Sequence, residues 1–530
     1  MDLNALPYPS RRVPVCARNM VACSQPLAGQ AGLAMLARGG SAVDAIVAMA
    51  STLTLVEPTG NGIGSDAFAL VWDGQSLHGL NASGRSPAAL RADDFAGRDA
   101  MPTLGWAPVT VPGCVDAWRT LHEQFGTLDF ADVLAPAIAY ARDGFPVSPI
   151  TGRLWQSVTR RYAEFPSFLE TFAPQGRPPR PGEMFQSSGH ADTLQDIAET
   201  RGESFYRGRL ARAICDAARA GGGAMREDDL ASHKSEWVVP LAQDFAGVTL
   251  HEIPPSGQGI AALIALGILD RLDIARFPVD SPDSVHLQVE AMKIAFAEIS
   301  RHVADPRFME VEPHAMLAPE FLDRRAAEVR LDAAQHYTSR VATDHGTVYL
   351  AAADARGMMV SYIQSNYMGF GSGIVPPGTG ISMQNRGACF VTTPGHPNQV
   401  AGGKKPYHTI IPAFVTRGGK PLMAFGVMGG HMQPQGHLQM VVRMFVHDQN
   451  PQAASDAPRW QCDPSGRLLL ERGFDAAVAA ELTRRGHDVA TDVGELSFGG
   501  AQLILNHTPE AGNVYVGGSD HRKDGHAAGF

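Results

Sequence analysis

The stretch Asp344-His345-Gly346-Thr347-Val348-Tyr349-Leu350, followed by Ala-Ala-Ala-Asp-Ala-Arg-Gly and Met358-Met359-Val360-Ser361-Tyr362, decides how this chain folds. Two short apolar runs flank a turn that ends at Gly357, a pattern that predicts two adjacent β-strands. Thr347 follows a glycine and occupies the first position of the first predicted strand. The polar segment 335–345 before it is expected to form an exposed loop.

A threonine in this position has a specific chemical option. Its hydroxyl can attack the carbonyl of Gly346, cut the chain there and leave Thr347 as a new N-terminal residue. The hydroxyl is then a nucleophile and the freed α-amine its base. An α-amine titrates near pH 8, so about a tenth or more is unprotonated at neutral pH. The alternative is a threonine that only begins a strand, as β-branched residues often do.

Further motifs run through nearly the whole chain and keep a fixed order around Thr347. They are Met20-Val21-Ala22, Gln25-Pro26-Leu27-Ala28, Gly39-Gly40-Ser41-Ala42-Val43-Asp44-Ala45, Val56-Glu57-Pro58, Gly60-Asn61-Gly62-Ile63-Gly64, Pro254-Pro255-Ser256-Gly257-Gln258-Gly259, Glu290-Ala291-Met292-Lys293, Phe370-Gly371-Ser372-Gly373, Lys405-Pro406, Gly429-Gly430 and Ser519-Asp520-His521-Arg522-Lys523-Asp524-Gly525. In this combination the chain resembles the γ-glutamyltransferase family of N-terminal-nucleophile hydrolases.

Periodicity alone predicts only a mixed α/β (α+β) class. The resemblance implies a more specific fold. It implies a four-layer αββα sandwich in which residues 1–346 form a large subunit and residues 347–530 a small one. Both products of self-cleavage would interleave in one globular domain, and a dimer of these pairs is a further expectation. Local patterns predict helices at 27–38, 43–58, 259–272, 282–302 and 436–446, and strands at 67–72, 348–353, 359–364, 413–416 and 502–505. The segment 153–180 is interpreted as a surface insertion or irregular lobe.

The resemblance also assigns catalytic roles around Thr347. Gly429 and Gly430 match a glycine pair whose backbone N–H groups stabilise the oxyanion of acyl transfer, and such donors contribute a few kcal/mol each. A tight turn before a helix is the alternative explanation for the pair. Ser365 takes the place of a threonine whose hydroxyl touches the nucleophile, with a solvent-facing serine as the alternative. The glycine-rich loop at 60–64 is expected to be a close-packed loop that lines the pocket.

Substrate recognition departs from the family pattern. The γ-glutamyl enzymes hold the substrate α-amine with Asn, Gln and Asp, and these positions carry Tyr367, Arg386 and Cys389 here. An ammonium group needs acceptors and preferably an anion, so these replacements remove its binding groups and add a positive charge.

The carboxylate-binding positions differ as well. A Ser-Ser pair of the family falls on His408 and Thr409, and its arginine falls near Ser83, two residues before Arg85. Arg85 and Arg386 would suit a carboxylate, because a guanidinium donates two parallel hydrogen bonds and stays charged. An acid without an α-amine therefore fits these residues better than glutamate does.

Three functions follow as expectations. The first is a self-processing amidohydrolase that cleaves γ-glutamyl-type amides such as glutathione through an acyl-enzyme. The second is an amidase or acylase for a carboxylate-bearing amide without an α-amine, of the oxamate or glutaryl-cephalosporin type. The third, from another class, is an inactive homologue with a binding role. The enzyme is expected to need no metal and no organic cofactor, and its partner is a small-molecule amide.

The composition of the chain argues against several other classes of protein. The chain of 530 residues has a net charge of −10 and a pI near 6.0, which argues against a nucleic-acid surface. Six scattered cysteines without a C-x-x-C pair indicate neither a disulfide framework nor a zinc site. The sequence contains no uninterrupted apolar run of about 18 residues, so it predicts no membrane span. No signal peptide is visible after the two N-terminal arginines, and a cytoplasmic location is expected.

Overall fold

The computed structural model describes Leu3 and residues 12–337 and 346–530 of the chain. Two antiparallel seven-stranded sheets form its centre. In spatial order the first contains Val15–Ala17, Tyr515–Ser519, Gly500–Asn506, Lys420–Met428, Ala413–Arg417, Val248–Glu252 and Leu241–Phe245. The second contains His526–Gly529, Met20–Cys23, Gly346–Ala353, Met359–Tyr367, Asp66–Trp72, Leu77–Asn81 and Glu236–Val238.

Side chains of the strand Gly346–Ala353 show how the layers are held together. Successive side chains of a strand point to opposite faces of its sheet. Val348 and Leu350 enter an apolar cluster shared with helices, whereas Tyr349 and Ala351 enter a second cluster shared with the other sheet. All four are buried, because both faces of this sheet are covered.

Helices cover the outer face of each sheet. The helices beside the second sheet are Pro26–Ala37, Ala42–Val56, Cys114–Phe125, Phe130–Asp143, Ser188–Thr200, Glu203–Arg207, Arg209–Ala220 and Glu227–Ala231. The helices beside the first sheet are Ile260–Asp270, Pro282–His302, Pro319–Ala326, Met432–Phe445, Pro451–Asp456 and Ala476–Arg484. The described residues therefore form the four-layer αββα sandwich, and this prediction is confirmed.

Local signals place most element boundaries correctly. Ser41 caps the helix Ala42–Val56: its hydroxyl accepts from the Asp44 N–H, and the Asp44 carboxylate accepts from the Ser41 N–H. The helix predicted to begin at Gly436 instead begins at Met432. Pro434 lies in its first turn, where the missing N–H has no partner within the helix to lose.

The segment 153–180, interpreted as a surface insertion or irregular lobe, is not a surface insertion. This segment forms the short helices Val158–Arg161 and Pro166–Phe172 after a helix that ends at Trp155. Trp155 and Phe172 are buried, and their rings lie 5.6 and 5.0 Å from the ring of Phe370. Helices this short show no clear apolar period. The convergence of their aromatic side chains on one core residue therefore could not be predicted from the sequence.

Strands from both sides of residue 347 pair within each sheet. Gly346–Ala353, for example, lies between Met20–Cys23 and Met359–Tyr367. The two subunits expected after cleavage would thus share hydrogen bonds across the whole molecule. Among the helices of the described part of the chain, none is both long enough and apolar enough to cross a membrane.

Candidate active site around Thr347

Thr347 is a buried residue at an irregular point of the second sheet. The strand pairing shifts register between Gly346 and Val348, so that Ser365 and its neighbour Asn366 lie opposite the single residue Thr347. A bulge of this kind redirects side chains at a strand end. Segment 338–345, which the sequence predicts as an exposed loop together with 335–337, lies outside the described residues.

Two glycines make room for the junction. A Cβ atom added to Gly346 would lie 2.5 Å from the backbone nitrogen of Gly369. One added to Gly60 would lie 3.0 to 3.1 Å from backbone atoms of Thr347. The glycine-rich loop is therefore a close-packed wall beside Thr347, as its sequence predicts, and Gly60 lines the adjoining cavity.

Ser365 is the polar group in contact with both residues of the junction. The Thr347 hydroxyl donates to Ser365 Oγ at 3.3 Å, and the Ser365 hydroxyl donates to the carbonyl oxygen of Gly346 at 2.5 Å. Ser365 Oγ also accepts from the N–H of Tyr367 at 2.8 Å and from Arg386 Nη2 at 3.1 Å. The solvent-facing alternative for Ser365 is wrong, because its side chain is fully buried.

A cavity of about 210 Å³ opens beside Thr347. Three of the residues that line it carry charged groups that the sequence analysis did not assign to the site, namely Glu57, Arg161 and Lys523. Its other lining residues are Thr59, Gly60, Leu154, Ser157, Tyr162, Gly346, Gly369, Phe370, Met428, Gly429, Leu496 and Gly499. Glu57 and Lys523 lie within motifs that carry the family resemblance, and this could have indicated that they belong to the site. Arg161 belongs to the segment interpreted as an insertion.

The charged lining residues interact with one another and with the fold. Lys523 Nζ lies 3.6 Å from Glu57 Oε1, and Ser24 donates to Glu57 Oε2 at 2.5 Å. Burial raises the pKa of the Glu57 carboxyl, and the nearby Lys523 opposes this shift. Arg161 Nη2 lies 3.9 Å from the sulfur of Met368. The cavity thus presents two basic side chains and one acid among apolar walls.

Gly429 and Gly430 form the turn between the strand Lys420–Met428 and the helix Met432–Phe445. Both have positive φ values, 129° and 60°, which residues with a Cβ rarely adopt. Gln258 donates to the carbonyl of Gly430 at 2.8 Å and fixes the turn. Gly429 lines the cavity beside Thr347. The turn and the oxyanion role are compatible, and the latter stays a prediction.

Arg386 is fully buried behind Ser365 and is not among the residues that line the cavity. Its Nη1 donates to Thr409 Oγ1 at 2.7 Å and lies 3.8 Å from Cys389 Sγ. Its guanidinium carbon lies 4.6 Å from the ring centre of Tyr367, a cation–π contact. Three side chains predicted to bind substrate, Tyr367, Arg386 and Thr409, therefore contact one another, and their role in substrate binding stays a prediction.

His408 faces a buried acid. Its Nε2 lies 3.0 Å from Asp66 Oδ2, and Asp66 Oδ1 accepts from Gln384 and from the N–H of Gly84. Burial raises the pKa of Asp66 to about 7, although Arg386 and three further groups oppose the shift. Burial lowers the pKa of His408 well below its usual value, and the nearby Arg386 lowers it further.

The structure does not bring Arg85 to the cavity that Thr347 lines. Arg85 pairs with Asp305 at 2.7 Å and with Glu236 at 3.3 Å, and lines a separate surface pocket with Lys405. The two acids accept from its Nη1 and Nη2 there. Arg85 and Arg386 therefore do not form one clamp in this conformation.

One group of side chains among residues 12–337 and 346–530 has the spacing of metal ligands: His286, Glu290 and His487. His286 Nδ1 and His487 Nε2 lie 2.8 Å apart, in direct hydrogen-bond contact. Lys293 Nζ contacts Glu290 at 2.9 Å and His487 Nδ1 at 3.2 Å. The lysine ammonium already occupies the place of a cation, so these residues are better described as a hydrogen-bonded cluster.

Comparisons with known proteins agree with this geometry. Residues 28–530 match the family model described as gamma-glutamyltranspeptidase. The chain is 35% identical to the glutathione hydrolase-like YwrD proenzyme of Bacillus subtilis, over 97% of this chain and 98% of that one. It is 36% identical to the oxamate amidohydrolase proenzyme of Klebsiella pneumoniae, over 97% and 99%. The crystal structure of cephalosporin acylase from Bacillus halodurans superposes with a TM-score of 0.95, at 46% identity, covering 99% of this chain and 98% of that one.

Proposed function

The chain belongs to the gamma-glutamyltranspeptidase family of amide hydrolases, and we propose that it hydrolyses amides of carboxylate-bearing acids that lack the α-amine of glutamate. One observation carries the proposal. The positions at which the γ-glutamyl enzymes hold the α-amine are filled here by the buried pair Tyr367 and Arg386. Self-cleavage between Gly346 and Thr347, into chains of about 346 and about 184 residues, would precede activity.

The reaction proceeds through an ester on Thr347. After cleavage, the Thr347 α-amine takes the proton of its own hydroxyl while Oγ1 attacks the amide carbonyl. The backbone N–H groups of Gly429 and Gly430 stabilise the oxyanion. The C–N bond then breaks and the leaving amine takes the proton. Water attacks the ester in the same way, which releases the acid and restores the Thr347 hydroxyl.

Electrostatics disfavours a γ-glutamyl substrate in this site. An ammonium and a guanidinium about 4 Å apart repel each other by about 4 kcal/mol at an effective dielectric constant of about 20. Asp66, a buried acid near Arg386, already accepts from Gln384 and Gly84 and contacts His408. An α-amine bound beside Arg386 would therefore lose its hydration without gaining Asp66 as an acceptor.

The open cavity offers the opposite preference. Lys523 and Arg161 place two basic groups within reach of a substrate bound at Thr347, against the single acid Glu57. A carboxylate in this cavity would gain charge-assisted hydrogen bonds. The leucine and methionine side chains beside them, Leu154, Leu496 and Met428, would contact apolar parts of the acid or of the leaving amine.

A substrate panel tests the proposal. Processed enzyme is assayed with oxamate, a glutaryl amide and the matching γ-glutamyl amide, which differs from the glutaryl one only by the α-amine. We expect kcat/KM to favour the glutaryl over the γ-glutamyl amide by about a hundredfold, because an unpaired buried ammonium costs a few kcal/mol. A preference for the γ-glutamyl amide would overturn the proposal and restore glutathione-type substrates. No turnover of any amide would favour the inactive homologue.

Two further expectations stay predictions: the cytoplasmic location and the dimer of processed pairs. Size measurement of the processed enzyme by light scattering tests the second.

A further inference from the structure

The Ser365 hydroxyl has more polar neighbours than one hydroxyl can serve. It donates to the Gly346 carbonyl at 2.5 Å, and three donors point at its oxygen: Thr347 Oγ1, the Tyr367 N–H and Arg386 Nη2. A serine hydroxyl has one proton and two lone pairs. The two shorter contacts, at 2.8 and 3.1 Å, use both lone pairs. The contact with Thr347, at 3.3 Å, is the weakest of the set.

This count determines what Ser365 can do at the uncleaved junction. Both lone pairs of Ser365 Oγ are occupied, and its hydroxyl donates its hydrogen bond to the Gly346 carbonyl oxygen. Ser365 is therefore poorly placed to remove the proton of Thr347. It is well placed to donate to the oxygen of the scissile carbonyl. In the attack of Thr347 Oγ1 on that carbonyl, the negative charge develops on the same oxygen.

We infer that Arg386 is a positioning residue for self-cleavage, which acts through Ser365 by orienting and polarising its hydroxyl toward the Gly346 carbonyl. The inference rests on the proposed self-cleavage at Thr347. A charged donor on the serine oxygen makes the serine proton a stronger donor, because linked hydrogen bonds polarise one another. Arg386 therefore acts on the Gly346–Thr347 junction through Ser365. A residue that clamps substrate would have to face the cavity.

The step balances without any outside reactant other than water. Thr347 Oγ1 bonds to the Gly346 carbon, and the oxygen that Ser365 contacts becomes the oxyanion. The bond from that carbon to the Thr347 nitrogen then breaks, and the hydroxyl proton ends on the freed amine. Water hydrolyses the resulting ester to give the Gly346 carboxylate and the Thr347 hydroxyl.

The surroundings of Arg386 fit a fixed role. The guanidinium is fully buried, packs on the Tyr367 ring at 4.6 Å and donates to Thr409 at 2.7 Å. Tyr367 itself has φ of +78°, a backbone conformation that non-glycine residues rarely adopt. This conformation places its N–H on Ser365 Oγ and its ring under Arg386. The group is thus organised around the serine oxygen.

The test follows cleavage of the full chain made by pulse-labelled cell-free translation, with precursor and products separated on gels. The variants are Ser365→Ala, Arg386→Gln and the double variant. We expect Ser365→Ala to slow cleavage by about a hundredfold, as expected for loss of one oxyanion donor. Arg386→Gln should slow it by about tenfold. The double variant should equal Ser365→Ala, because Arg386 has no route to the carbonyl without the serine.

Two controls separate this role from general destabilisation. Arg443→Gln removes another buried arginine, one that pairs with Asp280, and should leave the cleavage rate unchanged. Arg386→Lys keeps the charge and should recover part of the rate. Thermal melts of each precursor, trapped in a Thr347→Ala background, report folding independently of cleavage.

The outcomes are distinct. Wild-type rates for Arg386→Gln, or a double variant slowed by the product of the two single effects, would overturn the inference and leave the proposed function intact. If Arg386→Gln does not fold, the same cycle is run with Arg386→Lys. A wild-type chain that turns over amides but never cleaves would instead refute self-cleavage at Thr347, on which both the inference and the proposed mechanism rest.

Discussion

The two sides of Thr347 differ in how their charges are used. On the closed side, Ser365, Tyr367, Arg386 and Thr409 are buried and bonded to one another. On the open side, Glu57, Arg161 and Lys523 line a cavity of about 210 Å³. Arg386 is enclosed by side chains that it contacts, whereas Arg161 and Lys523 reach a cavity that can hold a ligand. Residue type alone therefore does not distinguish a substrate clamp from a scaffold.

The largest expected effect is at the residue that both sides share. Thr347→Ala should abolish chain cleavage and lower amide turnover by at least about ten-thousandfold, because nucleophile and base are both lost. Thr347→Ser keeps the hydroxyl and the amine and should retain both reactions. Gel analysis with N-terminal sequencing of the small chain measures the first effect. Full activity in the alanine variant would remove the basis for the comparison of the two sides.

The next effect tests the open side. Lys523→Gln should raise KM for a carboxylate-bearing amide by about ten- to a hundredfold, because a charged hydrogen bond contributes about 1.5 to 3 kcal/mol. The methyl ester of the same substrate serves as a neutral comparison and should be unaffected. Lys420→Gln, which removes an exposed lysine paired with Glu510, is the matched control. Equal KM changes for acid and ester would show that Lys523 supports the cavity without contacting the carboxylate.

The smallest effect concerns the arginine that lies on neither side. Arg85→Gln should change kcat/KM by less than about twofold, since its donors are occupied by Asp305 and Glu236 away from Thr347. Arg85 is partly exposed and the buried Asp305 keeps its ion pair with Arg307, so the loss of the Arg85 pairs should lower the free energy of unfolding by about 1 kcal/mol or less. Steady-state assays and a thermal melt measure both quantities. A large loss confined to carboxylate substrates would show that Arg85 reaches the active site in another conformation.

Some parts of the site could be predicted from the sequence because they depend on local chemistry. The Gly346–Thr347 junction needs a glycine where the backbone of Gly369 passes and a hydroxyl at the next residue. The role of Ser365 is implied by the family resemblance, and its place beside Thr347 results from the pairing of two consecutive strands, a short-range arrangement. Other parts could not be predicted. Arg161 lies in a helix of four residues, too short to show a period, and reaches the cavity only through packing on the aromatic core.

By itself, the sequence determined the types of the elements that it predicted, the cap at Ser41, the glycines beside Thr347 and the residue expected to act as nucleophile, because each depends on neighbours within a few positions or on a recognisable motif. Only the tertiary structure decided which cationic side chains are enclosed by other residues and which line the cavity beside Thr347. Arg386 is enclosed by Ser365, Tyr367 and Thr409, whereas Lys523 reaches a cavity. The free energy of a charged side chain depends on how much water and how many partners surround it. Those surroundings are contributed by strands and loops that are distant in the chain.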